Sequence, residues 1–228
     1  MVNYRPISNL SNISKLLERI IYNRLSQHIH SFNTYSIFQS AYRRFFSTET
    51  ALLKIQNDLL LAMDKQKVTA LVLLDLSAAF ATIDHMHLLH LLENWFGVSG
   101  SALLLLSSYL SSRSQSVIIN GHCSSSEPLV TAVPQGSVLG PLFFTSYTTP
   151  IAHVIHTQSF SYHLYADDTK IYISFASTDS DINLQALSST LDIVHAWFTS
   201  NRLTLNPSKT EFLIIGTRQQ RANYHRLL

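Results

Sequence analysis

The sequence predicts an α+β chain, and three observations predict it: long stretches with apolar residues three and four apart, a few short β-rich runs, and no repeat, low-complexity tract or linker between them. After Asn12 the residues Ile13, Leu16, Leu17, Ile20, Ile21, Leu25 and Ile29 recur at helical spacing, which predicts a helix of about five turns with one buried face. Ser47 and Glu49 open a second helix, with Leu52, Ile55, Leu59 and Met63 on one side and Lys54, Asp58 and Lys65 elsewhere. Thr69 to Leu74 is an almost continuous apolar run ending at Asp75, as expected of a strand covered on both faces. Helices are expected around His87 to Trp95 and over Ser101 to Leu110. Two strands, Ser116 to Asn120 and Leu129 to Val133, should flank a polar loop from Gly121 to Glu127. Ser137 to about Ile155 reads as helical, because Pro141 can sit in an opening turn. Phe160 to Ala166 and Lys170 to Phe175 read as a hairpin with Asp167-Asp168 at its tip. A helix from about Asp181 to Phe198 carries Leu184, Leu187, Leu191, Val194 and Trp197, and Glu211 to Ile215 is a closing strand.

The 228 residues are 46% hydrophobic, enough to bury a core. Charged residues are 13%, against roughly 25% in ordinary domains, and 16 Lys plus Arg against 14 Asp plus Glu leave a net charge of +2. Charge alone therefore does not point to nucleic acid, and the eleven His add little at pH 7. The single Cys123 excludes an intramolecular disulfide and any zinc site with two thiolates, and favours a reducing compartment. Apolar runs such as Leu59 to Met63 are far shorter than the ~20 residues that cross a bilayer, and no secretory signal is visible, so the expected location is intracellular, cytoplasmic or nuclear.

A strand-terminal Asp75 and a hairpin-tip Asp167-Asp168 suit two-metal phosphoryl transfer, in which carboxylates from separate strands converge on a pair of divalent cations. The same pattern also arises as ordinary turn chemistry. Strand side chains alternate in direction, so Asp167 and Asp168 cannot be equivalent. His85, His87 and His90 invite a metal reading too, but no third ligand is evident beyond the helical pair His87 and His90, and an amphipathic face accounts for them better.

Three strings occur in order: Leu74-Asp75-Leu76-Ser77-Ala78-Ala79-Phe80, Val133-Pro134-Gln135-Gly136-Ser137-Val138-Leu139-Gly140-Pro141 and Tyr165-Ala166-Asp167-Asp168. This set resembles polymerase motifs A, B and C of reverse transcriptases. The flanking Asn3-Tyr4-Arg5-Pro6-Ile7-Ser8, Gln39-Ser40-Ala41-Tyr42-Arg43, Ser47-Thr48-Glu49-Thr50-Ala51-Leu52 and Thr82-Ile83-Asp84-His85 resemble the non-LTR class, in particular its Jockey-related branches. The resemblance implies a right-hand polymerase fold: partial fingers with a helical scaffold over 1–68, and over 69–228 a palm carrying motifs A to D, its antiparallel sheet packed on helices. The thumb is expected to be absent, since the chain stops soon after motif D.

The resemblance further implies RNA-directed DNA polymerase activity, with an RNA template, a DNA primer and dNTPs as partners, and Mg2+ as cofactor with Mn2+ able to substitute. Asp75 and Asp167 match the family's principal catalytic metal ligands and Asp168 the second carboxylate of the pair, so the resemblance ranks Asp167 above Asp168 as a ligand of both ions. Phe80 matches the steric gate against a ribose 2′-hydroxyl, or else is a core aromatic; Gln135 and Gly136 match the loop under the incoming nucleotide. Arg5 matches a fingers cation for the triphosphate, with Arg43 a further candidate, and Lys209 matches the motif D lysine that donates a proton to pyrophosphate. Three positions depart from the pattern: Ala81 follows Phe80 where Asp is usual, Ala132 replaces a usual Gly, and Phe46 a frequent His. With the low charge and short ends, these support an alternative expectation, an inactive truncated remnant that at most binds nucleic acid.

Overall fold

Seven consecutive residues rich in Val, Leu and Thr, Val68–Leu74, form strand β1, and burial along almost its whole length marks an interior strand. The computed structural model describes residues 8, 10–32 and 34–221. Later in the chain come short β2 (Leu76–Ser77) and six further strands: β3 (Ser114–Gln115), β4 (Ile118–Ile119), β5 (His122–Cys123), β6 (Glu127–Pro128), β7 (Ser161–Tyr165) and β8 (Asp168–Phe175). β9 (Thr204–Leu205) and β10 (Glu211–Ile215) close the series. Antiparallel pairing gives a sheet of order β10-β1-β8-β7, with Leu71 opposite Tyr172 and Leu213, and Leu74 opposite Thr169.

The expected hairpin forms, but its turn falls one residue early. Tyr165 pairs with Asp168, so Ala166 and Asp167 make the turn and Asp168 is already the first residue of β8. Of the two turn residues only Ala166 has a positive φ, 54°, the backbone signature of a type II′ hairpin turn.

Two compact units divide the elements: Met1–Tyr35 with Ala78–Tyr147, and Ser36–Ser77 with Thr148–Leu228. In the second, helix α2 (Thr48–Asp64) starts at a capping box in which Ser47 and Thr50 exchange side-chain hydrogen bonds. It packs on β1 and β7, with Ile55 against Leu71 and Tyr172. Its buried side is Ala51, Ile55 and Ala62, whereas Leu52, expected on that side, is exposed. Helix α6 (Ser180–Ser200) packs on β8 and β9 and buries Leu187, Val194 and Phe198.

The first unit holds α1 (Asn12–Ser31), α3 (His85–Asn94), α4 (Gly100–Leu110), β3 to β6, and α5 (Gly140–Thr157) as far as Tyr147. Leu88, Leu92, Leu106, Leu110, Leu139, Phe143, Phe144 and Tyr147 are fully buried there. α1 corrects an expectation. Its period is right, but the inward residues are Glu18, Leu25 and Ile29, and Ile13, Leu16, Leu17 and Ile20 are exposed. Glu18 is tolerated on the inward face because its carboxyl accepts hydrogen bonds from the Tyr109 hydroxyl and from the Val138 amide, which offset the cost of burying it.

The strands expected over Ser116 to Asn120 and Leu129 to Val133 are also corrected. Asn120 (φ 50°) and Gly121 (φ 81°) form a two-residue turn, so β4 pairs with β5 directly and β3 with β6 outside them. Ala132 at φ 79° interrupts the second run, leaving a single bridge between Asp84 and Thr131. Among the described residues no helix is long and apolar enough to cross a membrane.

Candidate active site

Asp75 follows the last residue of β1, and the short pairing of β2 with β9 brings the Asn206–Thr210 turn back to it. The Asp75 carbonyl accepts the Asn206 amide at 2.8 Å, and Asp75 Oδ2 accepts Asn206 Nδ2 at 3.3 Å. Lys209 Nζ lies 3.4 Å from the same Oδ2, a half-exposed ion pair worth roughly 0–1 kcal/mol by itself. Asn206 shapes that turn, since its Oδ1 accepts the Ser208 amide and hydroxyl at 3.2 and 2.7 Å and its carbonyl accepts Thr210.

Continuing the β1/β8 register by one step sets Asp75 opposite Asp168, and both line a cleft of about 370 Å³ with Lys170, Ser208, Lys209 and Glu211. Partial desolvation raises the Asp168 pKa, Lys170 lowers it, Asp167 and Asp75 raise it, and Lys209 lowers it, for a net upward shift although the residue as a whole is exposed. Carboxylates crowd one another here. Asp167, in the turn, is not among the cleft-lining residues; its charge acts on Asp168 and also helps burial raise the Tyr42 hydroxyl.

In the other unit, Phe80 sits in a single 3-10 turn, Ala79–Ala81, half-buried and stacked on Phe144 at 4.9 Å and 20°. Its carbonyl accepts the Val133 amide at 3.0 Å, which ties it to the Gln135-Gly136 turn. Within that turn Gly136 has φ 94°, the Ser137 amide donates to Pro134, and the Gln135 carbonyl accepts the Ser8 amide. Gly140 follows, its amide on Ser137 Oγ at 2.9 Å; a Cβ there would lie 2.9 Å from that oxygen and 3.3 Å from the Pro134 carbonyl.

Asp75, Asp168 and Lys209 are thus together, as are Phe80, Gln135 and Gly136, while Arg5 lies outside the described residues. Arg43 does not point to open solvent: its guanidinium donates to the Ser36 and Gln39 carbonyls and covers the Phe46 ring. His85 bonds the Ala132 carbonyl at 2.6 Å, and His87 packs on Tyr147. Among the described residues no group of three or more His, Cys, Asp or Glu forms a ready-made metal cluster. Sequence reasoning assigns no site role to Asn206, Lys170 or Glu18. Only Asn206 carried a signal, as an Asn before Pro in a turn.

Residues 1–225 match the family model described as reverse transcriptase (RNA-dependent DNA polymerase). The chain is 30% identical over 213 residues to a probable RNA-directed DNA polymerase from transposon BS of Drosophila melanogaster, and 29% identical over 213 residues to the RNA-directed DNA polymerase from mobile element jockey of the same fly. Each alignment covers 91% of this chain, which spans 23% of the length of these curated relatives. Among solved structures, a telomerase from Candida tropicalis with a telomeric RNA fragment matches at a TM-score of 0.64 and 12% identity, over 89% of this chain and 34% of that one. A telomerase from Candida albicans matches at 0.59 and 15% identity, over 88% and 35%. At such identities the likeness is one of fold, the right-hand polymerase fold.

Proposed function

The chain belongs to the reverse transcriptase family, in its non-LTR, Jockey-related branch, and from that premise we propose that it is the core of an RNA-directed DNA polymerase that adds dNTPs to a primer 3′-hydroxyl. The family is one of divalent-metal-dependent polymerases acting on nucleic acid. The observation that supports the reading most is that Asp75 and Asp168, from adjacent strands, line one cleft with Lys209.

Asp75, Asp167 and Asp168 are the ligands we assign to Mg2+, with Mn2+ as substitute. Their oxygens are the donors a hard divalent cation takes; burial is the main cause that raises the Asp168 pKa, with Asp167 and Asp75 adding to it against Lys170 and Lys209, and a bound cation would favour the ionised form. When bound, the metal supplies positive charge for the triphosphate and a lowered pKa for the primer hydroxyl. In the reaction the 3′-hydroxyl would give its proton to solvent water as its oxygen attacks the α-phosphorus, the bond between that phosphorus and the oxygen bridging to the β-phosphate would break, and pyrophosphate would leave. Lys209 gives that leaving group a proton, and Asn206 holds Asp75 in orientation. The ring of Phe80, supported from one side by Phe144, excludes a ribose 2′-hydroxyl, Gln135 offers its amide and Gly136 its bare backbone to the nucleotide, and Arg5 grips the triphosphate. We assign 1–68 to partial fingers and 69–228 to the palm, and an intracellular setting, where the exposed thiol of Cys123 stays reduced.

Primer extension on an RNA template tests the reading. The parent chain should extend a DNA primer with dNTPs and Mg2+, and Asp167→Ala should not. No extension by the parent across a range of Mg2+ and Mn2+ would rule the activity out.

A further inference from the structure

Glu18 is a charged side chain on the inward face of α1, where Leu25 and Ile29 supply the packing, and it is only 2% exposed. A carboxyl in such a place costs several kcal/mol unless its oxygens are satisfied, and an apolar residue would pack there without that cost. Both oxygens are satisfied, by groups far away in sequence. Oε2 accepts the Val138 amide at 2.6 Å and Oε1 accepts the Tyr109 hydroxyl at 3.0 Å. Tyr109 is itself fixed, because Arg113 Nε donates to its carbonyl at 2.7 Å and the Arg113 guanidinium lies over its ring at 4.4 Å.

Val138 stands two residues after Gly136 and just before α5, so its amide has no helical acceptor of its own. The loop is therefore anchored on both sides of Gln135-Gly136: by Val133 on the Phe80 carbonyl before it, and by Val138 on Glu18 after it. We propose that Glu18 is a positioning residue for nucleotide binding, bracing the Val133–Leu139 loop so that Gln135 and Gly136 meet the incoming dNTP in one fixed conformation. The inference rests on the role given above to Gln135 and Gly136, and it adds a residue on a different helix through which that role is exercised. Glu18 itself touches neither nucleotide nor metal in this account.

The test compares the parent chain with Glu18→Gln and Tyr109→Phe. Glutamine keeps the size of Glu18 but offers one acceptor oxygen, with an NH2 group facing the second donor. By hydrogen exchange read by mass spectrometry, peptides covering Val133–Leu139 should exchange about tenfold faster in Glu18→Gln, while peptides of β1 and β8 keep their protection. In single-nucleotide incorporation, KM for dNTP should rise about tenfold with kcat within about twofold, the pattern of lost binding geometry. Tyr109→Phe, which leaves the Val138 bond in place, should move both readouts in the same direction by less. Unchanged exchange over Val133–Leu139, or loss of protection spread equally over β1 and β8, would overturn the brace. An unchanged KM in an active protein would overturn the link to nucleotide binding. A parent chain that extends no primer would defeat the proposed activity and with it the nucleotide part of the inference, while the exchange result would still decide the brace.

Discussion

At the ends of β1 and β8, Asp75, Asp168 and Glu211 share a cleft with Lys170 and Lys209, and Asp168 is pushed toward its neutral form. In the Val133–Gly140 segment, by contrast, the amides of Val133, Ser137, Val138 and Gly140 each meet a protein acceptor, one of them a buried carboxyl. One region gathers three carboxylates that two lysines only partly offset; the other spends a buried carboxyl to hold a loop still. Chemistry on phosphate needs both, a negative field to attract cations and a rigid seat for the nucleotide. Neither serves stability first.

The strongest test of that contrast is Asp75→Asn, which removes charge from the cleft while keeping shape. Primer extension should fall by at least about 10³-fold, the scale of losing a major electrostatic contribution to a transition state, with little change in Tm. Retained activity would separate the cleft from the chemistry.

The sheet behind the cleft should respond to acid through another group. His163, buried on β7 with Nε2 2.9 Å from Ser40 Oγ, has its pKa lowered to about 4, chiefly by burial, with Lys170 and Lys54 adding and Asp58 opposing. The unfolded chain takes up that proton near pH 6.5 and the folded chain near 4, so stability should be lost as pH falls through that window. The loss is at most about 3 kcal/mol. Urea unfolding of the parent and His163→Gln at several pH values should show the slope flattened in the variant; identical slopes would mean that His163 takes up its proton at the same pH in the folded and the unfolded chain.

A smaller effect is expected beside the braced loop. Ala132 holds a φ of 79°, the region where a Cβ is unfavourable. Ala132→Gly should therefore stabilise by about 1 kcal/mol, raising Tm by a few degrees for a chain of this size. A lower Tm would show that the Ala side chain contributes packing that outweighs the strain.

Asp168→Asn should give the smallest and most telling change in stability. Because the folded pKa is raised, stability is lost as pH rises above the unfolded value of 3.8, the opposite sign to His163. At pH 7 the variant should melt slightly higher than the parent while losing primer extension. A lower Tm would mean that Asp168 ionises in the fold without cost.

How much of this was legible in the sequence follows the range over which each feature is determined. Asp75, Asp168 and Lys209 could be read from local strings, and the structure does set them along one cleft. The hairpin tip was read one residue late, because an Asp-Asp pair resembles a turn whereas Ala166 rarely takes the φ of 54° that it adopts. The Asn120-Gly121 turn was overlooked although its chemistry is local. Glu18 was out of reach. Its partners lie 91 and 120 residues away, and within an apolar stripe it reads as a surface charge. The period of α1 is set by its own sequence, but the burial of Glu18 depends on Tyr109 and Val138.

The central claim, that the acidic cleft at the β1 and β8 ends is built to hold divalent cations, is tested most directly by Mn2+ binding followed by electron paramagnetic resonance. The parent chain should take up Mn2+ that Mg2+ displaces, and Asp75→Asn and Asp168→Asn should each weaken that binding at least about tenfold, as expected when one carboxylate ligand is lost. Equal Mn2+ binding by the parent and by the double variant Asp75→Asn/Asp168→Asn would contradict the account.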